Sequence, residues 1–174
     1  MARTLDLRKY QEDILGRLKE RAQPGEVASS SRLGVKVGRS LLLVSLEDIS
    51  EVAPVPEIHP VPLAKPWFLG MSNVRGNLYG VSDMAQLAGD TPTTLTASSR
   101  VLLSHQKYKA NVALLVNALL GLRNLDQMQE QEIADEGPYG FGGRQFKDSA
   151  GDTWRELNMR DLLVNPDFLK VGIG

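Results

Sequence analysis

Two histidines, His59 and His105, and a complete absence of cysteine leave little from which to build a catalytic or metal centre. Neither histidine has a carboxylate or a second histidine at metal-ligand spacing, so both read as surface residues rather than general bases. Without cysteine there is no thiol nucleophile, zinc–thiolate site or disulfide. Gly140-Phe141-Gly142-Gly143 lacks the Lys-Ser/Thr and the strand-to-helix setting of a phosphate loop, and no Gly-x-Ser-x-Gly elbow is present. The chemistry that does stand out is Arg75 beside Gly76, between two apolar runs. Its planar guanidinium is suited to hold a carboxylate or a row of carbonyls, a binding role rather than a catalytic one. Around it, Gly70 and Gly76 permit turns or close backbone approach, Asn73 can brace a turn, and Trp67 offers a large anchor.

The bulk properties point the same way. At 174 residues the chain fits one domain or two small lobes sharing a core, and 42% apolar residues suit a globular fold. Lys plus Arg number 20 against 21 Asp plus Glu, a net charge of −1. Nucleic-acid binders carry a basic excess, so no nucleic-acid partner is expected. No apolar run reaches the ~20 residues that span a bilayer, and the first 21 residues are studded with charge rather than shaped as a secretory signal. The expectation is a cytoplasmic protein with no direct membrane insertion and no cofactor.

The elements that would position these residues are mostly short strands. Leu7, Tyr10, Ile14 and Leu18 line one face of an N-terminal helix, which either covers its own domain or docks a partner. Pro24-Gly25 ends that helix, and a linker follows to residue 31. Leu33, Val35 and Val37 alternate, Gly38-Arg39 turns the chain, and Leu41–Val44 returns it, with Ile49 and Val52 continuing the sheet. Five prolines from Pro54 to Pro66 force an extended surface path. Strands at 71–74 and 78–82 reverse at Arg75-Gly76-Asn77, and a short helix runs from Asp83 to Ala88. Residues 100–104 and 111–116 form a further hairpin that 119–125 extends. The acidic stretch from Asp126 to Glu136 reads as a solvated loop. Strands at Arg144–Lys147 and Trp154–Asn158 and a helix near Arg160–Val164 close the chain. Turn signals at this spacing predict small barrels rather than one wide sheet.

The run from Trp67 to Met84 closely resembles the signature of the CheW-like coupling domain, tryptophan-x-x-glycine-x-x-asparagine-x-arginine-glycine, then an apolar strand and an aspartate. Trp67, Gly70, Asn73, Arg75, Gly76 and Asp83 fill every position. Ile49-Ser50-Glu51-Val52 and Val61-Pro62 fit the preceding elements, Ala113–Asn117 a later strand, and Trp154, Leu157 and Leu162-Leu163 the closing ones. Ala113 and Asn117 depart from the glycine and aspartate usual in the family. The helical extension and glycine-rich insertion look like PilI-type coupling proteins, which serve the chemosensory system of type IV pili and twitching.

The resemblance implies an all-β fold with minor helices: two SH3-like five-stranded barrels packed together, plus the N-terminal helix. It assigns residues 1–31 to helix and linker, 32–164 to the CheW-like domain and 165–174 to a tail. Lobe one covers about 32–92 with the C-terminal strand returning to it, and lobe two about 93–152. Function would be non-catalytic, bridging the cytoplasmic tip of a methyl-accepting chemoreceptor to a CheA-type histidine kinase. Arg75 and Glu51 become the receptor-binding candidates, their alternative being an internal ion pair that fixes the hairpin. Trp67, Gly70 and Gly76 read as architectural, with Asn73 and Asp83 as motif residues beside them. The competing readings are a coupling scaffold in another signalling pathway, an oligonucleotide-binding barrel, and a small hydrolase or isomerase. The last two require basic–aromatic interleaving or convergent titratable groups, which the sequence does not display.

Overall fold

The computed structural model describes residues 30–133 and 143–173. The expected N-terminal helix and Gly140, Phe141 and Gly142 lie outside the described residues. Eleven strands are described: β1 (Ser31–Val37), β2 (Ser40–Ser45), β3 (Ile49–Pro54), β4 (Phe68–Val74), β5 (Asn77–Asp83), β6 (Arg100–Ser104), β7 (Val112–Val116), β8 (Ala118–Asn124), β9 (Gln129–Gln131), β10 (Gln145–Lys147) and β11 (Thr153–Glu156). Three short α-helices accompany them: α1 (Met84–Leu87), α2 (Met159–Val164) and α3 (Pro166–Leu169). The strands form a six-stranded sheet, β8-β1-β2-β11-β10-β9, and a five-stranded sheet, β3-β6-β7-β5-β4.

Several central strands bury both faces, which explains their nearly unbroken apolar runs. Leu42 and Val44 of β2 enter the same cluster as Leu33, Val35 and Val37 of β1, while Leu43 faces Trp154 and Phe146 on the other side. In β6, Leu102 joins the first cluster and Val101 and Leu103 join a third with Val81, Ala113 and Leu115. The first cluster draws residues from both sheets and is therefore a shared core. Each wholly buried leucine in it contributes about 1.5–3 kcal/mol relative to exposure.

The sheets do not divide where the sequence placed the lobes, at residues 92 and 93. β1 and β2 belong with β8–β11, whereas β3–β7 form the other sheet. Ile49 and Val52 do not continue the first sheet, because a 3-10 turn at Leu46–Asp48 redirects the chain and β3 pairs with β6. Residues 118–124 do not extend the β6–β7 hairpin. β7 already has β6 on one edge and β5, in parallel, on the other, so β8 crosses to pair with β1. The acidic stretch is not all loop, since Gln129–Gln131 forms β9 against β10 while Gln129 and Glu130 stay exposed. One sheet consequently has six strands rather than five. The returning strand is β11, which lies parallel to β2 with Arg155 opposite Leu42.

The crossing at Asn117 is braced by polar atoms. Its amide donates to the Lys36 carbonyl at 2.8 Å, and its Oδ1 accepts from the Gly38 amide at 2.7 Å. An amide oxygen serves that purpose as a carboxylate would, so the departure from aspartate costs no acceptor. Within the expected tail of residues 165–174, the described residues 165–173 contain α3 and a short extended run. Asn165 caps α3, accepting from the Asp167 amide at 2.9 Å, with Pro166 at its first position. Phe168 of α3 is buried in the shared core. Among the described residues no helix is long and apolar enough to cross a membrane.

Candidate functional site

The β4–β5 hairpin carries the candidate residues, and its turn explains their types. Arg75 has φ +52° and Gly76 φ +83°, two successive left-handed residues between β4 and β5. That pattern is the type I′ turn whose twist matches a two-residue hairpin. Glycine fits the second place at no cost, whereas arginine in the first is strained. Asn73 braces the turn, its Oδ1 accepting from the Gly76 amide at 2.9 Å. A strained residue with a bidentate side chain at an exposed tip is where binding function concentrates.

The Arg75 guanidinium reaches Glu51 on β3. Nη1 donates to Oε2 at 2.9 Å and Nη2 to Oε1 at 2.6 Å, a two-pronged pair. β3 and β4 are the two outer strands of the five-stranded sheet, so the pair ties one edge strand to the turn that ends the other. Glu51 is mostly covered and the Arg75 side chain remains 39% exposed. The structure thus brings both receptor-binding candidates together as an ion pair that fixes the hairpin and still presents polar surface.

The other signature residues sit at the base of the same hairpin. The Asp83 amide donates to the Trp67 carbonyl at 2.7 Å. Asp83 is buried and caps α1 through the Ala85 amide at 3.1 Å. Its carboxylate also accepts from the Thr93 amide at 2.8 Å and the Thr93 hydroxyl at 2.6 Å, holding the linker after α1. Trp67 is buried and stacks on Phe168, ring centroids 5.4 Å apart and 12° from parallel. Gly70 has φ +140°, and a Cβ there would lie 2.2 Å from the His59 carbonyl oxygen. The hairpin base is therefore buried and closely packed, whereas its tip stays exposed.

The histidines have local structural roles. His59 exchanges two backbone hydrogen bonds with Met71, at 2.8 and 2.9 Å. The Nδ1 of His105 accepts from the Lys107 amide at 3.0 Å, starting a one-turn 3-10 helix. Among the described residues no group of three or more acidic or histidine side chains is placed to hold a metal ion. Sequence reasoning missed the Trp67–Phe168 stack, although Asn165-Pro166-Asp167 carries a helix-start signal. It also missed the bond from the Tyr108 hydroxyl to Asp48, whose carboxylate meets the Lys107 ammonium at 3.1 Å. Burial, and then that bond, pushes the Tyr108 phenol above its ordinary range.

The family model described as the CheW-like domain matches residues 32–164, well over half of the chain. The chain belongs to the CheW-like family. Protein PilI of Pseudomonas aeruginosa PAO1 is 28% identical over 112 residues, covering 63% of this chain and 62% of that protein. The match therefore spans under two thirds of that relative's length. The crystal structure of the scaffolding protein TtCheW from Thermoanaerobacter tengcongensis superposes with a TM-score of 0.63 at 15% identity. That superposition covers 74% of this chain and 88% of the other, and it shows the fold. The two sheets are those of the CheW-like fold of two SH3-like β domains.

Proposed function

We propose that this CheW-like domain is a non-catalytic adaptor joining the cytoplasmic tip of a methyl-accepting chemoreceptor to a CheA-type histidine kinase. The likeness to PilI favours a chemosensory pathway controlling type IV pili and twitching motility, in the cytoplasm. The observation that carries the reading is the complete signature folded onto one hairpin, with Arg75 and Glu51 paired at its tip. A fork-shaped cation anchored by a neighbouring carboxylate is preorganised to meet carbonyls or a carboxylate on a receptor helix.

The test is affinity of the purified protein for a receptor-tip peptide and for the kinase regulatory domain, with single-stranded DNA as control. Arg75→Ala is expected to weaken receptor binding by about 1–3 kcal/mol while kinase binding survives. Loss of both bindings together with the melting transition would assign Arg75 to structure alone. Unchanged receptor affinity would place the receptor surface elsewhere. Incubation with phosphorylated kinase should leave this chain unlabelled, and stoichiometric transfer of phosphate to it would end the adaptor reading.

A further inference from the structure

The segment after α2 closes over the proline-rich run in a way that β-sheet architecture does not require. The Lys65 amide donates to the Val171 carbonyl at 2.7 Å, and the Ile173 amide donates to the Leu63 carbonyl at 2.7 Å. Ala64 and Gly172 form an isolated bridge between these bonds. Beneath them Phe168 stacks on Trp67, and the Lys65 ammonium lies 5.9 Å from the Trp67 ring centroid and donates to the Asp167 carbonyl at 3.3 Å.

At its other end the proline-rich run meets the signature strand. His59 and Met71 exchange two backbone bonds on the outer edge of β4, and the bare Cα of Gly70 lets the His59 carbonyl approach. A chain of contacts therefore runs from residue 173 through residues 59–65 to β4, the strand that leads to Arg75.

The closed arrangement holds strain and gains little burial at its surface. Leu63 has φ +56°, a conformation unfavourable for any side chain other than glycine's. Its side chain is also 78% exposed, with Leu169 at 58% and Ile173 at 64%. A short helix and a two-bond ladder closing on a strained turn form the kind of unit that opens separately from the core it covers.

We propose that residues 165–173 are a latch on the signature strand, opening and closing as a unit with the proline-rich run while both sheets stay folded. Closed, the latch holds the β4 edge through His59 and Met71. Open, it frees residues 55–66 and loosens that edge. Phe168 and Leu63 are then positioning residues for a hairpin that neither touches at its tip. The latch stands independently of which partner the hairpin binds.

Native-state amide hydrogen exchange tests it on the full chain. Ile173→Pro removes the donor to the Leu63 carbonyl at an exposed position, so the fold itself is not at risk. The amides of Lys65, His59 and Met71 are expected to exchange faster together, by about tenfold or more, while those of Leu102 and Leu114 do not change. Phe168→Ala also removes a side chain from the shared core, so its signature is a larger acceleration at Lys65, His59 and Met71 than at Leu102 and Leu114. Leu63→Gly, which relieves the strained turn, should slow exchange at Lys65. Acceleration at Lys65 with His59 and Met71 unchanged would show that closure does not reach β4. Uniform acceleration across both sheets, or none anywhere, would equally overturn the latch.

Discussion

The two sheets of this protein are built from the chain in opposite ways. The five-stranded sheet takes β3 to β7, one unbroken stretch from residue 49 to 116. The six-stranded sheet joins β1 and β2 to strands that arrive after residue 117, and its central β2–β11 pairing spans more than a hundred residues. Their ion pairs differ to match. Arg75 and Glu51 tie the contiguous sheet at a solvent-exposed tip. In the composite sheet Glu156 of β11 lies between Arg32 at 3.1 Å and Arg144 at 3.2 Å, joining the start of β1 to the distant β10–β11 hairpin. The contiguous sheet has the more local contacts and keeps its ion pair at an exposed hairpin tip, whereas the composite sheet uses its ion pairs to join strands far apart in sequence.

The comparison predicts that the sheets nonetheless melt together, because the shared core contains residues of both. Trp154 is the place to strike. It is buried against Leu43, Leu125 and Phe146, donates to Asp148 at 2.8 Å, and packs so close to Gly34 that a Cβ there would meet its ring at 3.0 Å. Trp154→Ala should cost about 3–5 kcal/mol in a urea titration. The chain has two tryptophans, so Trp67 would then be the sole tryptophan, reporting from the hairpin base when excited at wavelengths tyrosine does not absorb. Its transition should coincide with the loss of far-ultraviolet dichroism. A later Trp67 transition would mean that the contiguous sheet survives alone, and the shared core would not couple the two.

Within the contiguous sheet, two signature glycines separate close packing from turn geometry. Gly70→Ala meets the His59 carbonyl at 2.2 Å from a backbone at φ +140°. Backbone strain alone should cost about 1–3 kcal/mol, and the steric conflict adds to it. Gly76→Ala has no atom within 4 Å of the new Cβ and suffers only its φ of +83°, about 1–2 kcal/mol. Thermal melts of both variants rank them. Equal losses would mean that His59 moves aside freely and does not hold the β4 edge.

The same contrast accounts for what the sequence made legible. Hairpins reveal themselves locally: Arg75-Gly76 between two apolar runs predicts the turn, and Asp83 ahead of Met84 predicts the capped helix. Sheet membership is not local. Nothing in Leu119 to Leu125 says that both edges of β7 are already occupied, so the strand was legible and its partner β1 was not. Gln129–Gln131 looks like a loop because its polar side chains face solvent while its backbone pairs with β10. Glu51 and Arg75 became joint candidates through the family signature. Their direct contact needed the fold, since Glu51 on one edge strand and Arg75 in the turn after the other stand 24 positions apart.

The smallest expected effect concerns acid, and it falls on the composite sheet. The Trp154 indole N–H, followed by the amides of Asp152 and Ala150, holds the Asp148 carboxyl below its ordinary value of 3.8. A depressed folded value means that the native state favours the carboxylate, so this contribution to stability is complete above the unfolded value. It must fade as pH falls through the lower folded value. Asp148→Asn keeps an oxygen acceptor but loses the charge and the titration. Asp90 titrates in the same direction for a different reason, since the amides of Arg39 and Thr91 donate to it at the β1–β2 turn. The urea midpoint of Asp148→Asn should lie below that of the parent at pH 7 and converge on it below about pH 4. Asp90→Asn should converge over a similar window, because Asp90, on the segment after α1, is likewise held by backbone amides, one of them from the β1–β2 turn of the composite sheet. A midpoint difference that stays constant into acid would mean that the charge at residue 148 contributes nothing. The indole would then be held by packing alone.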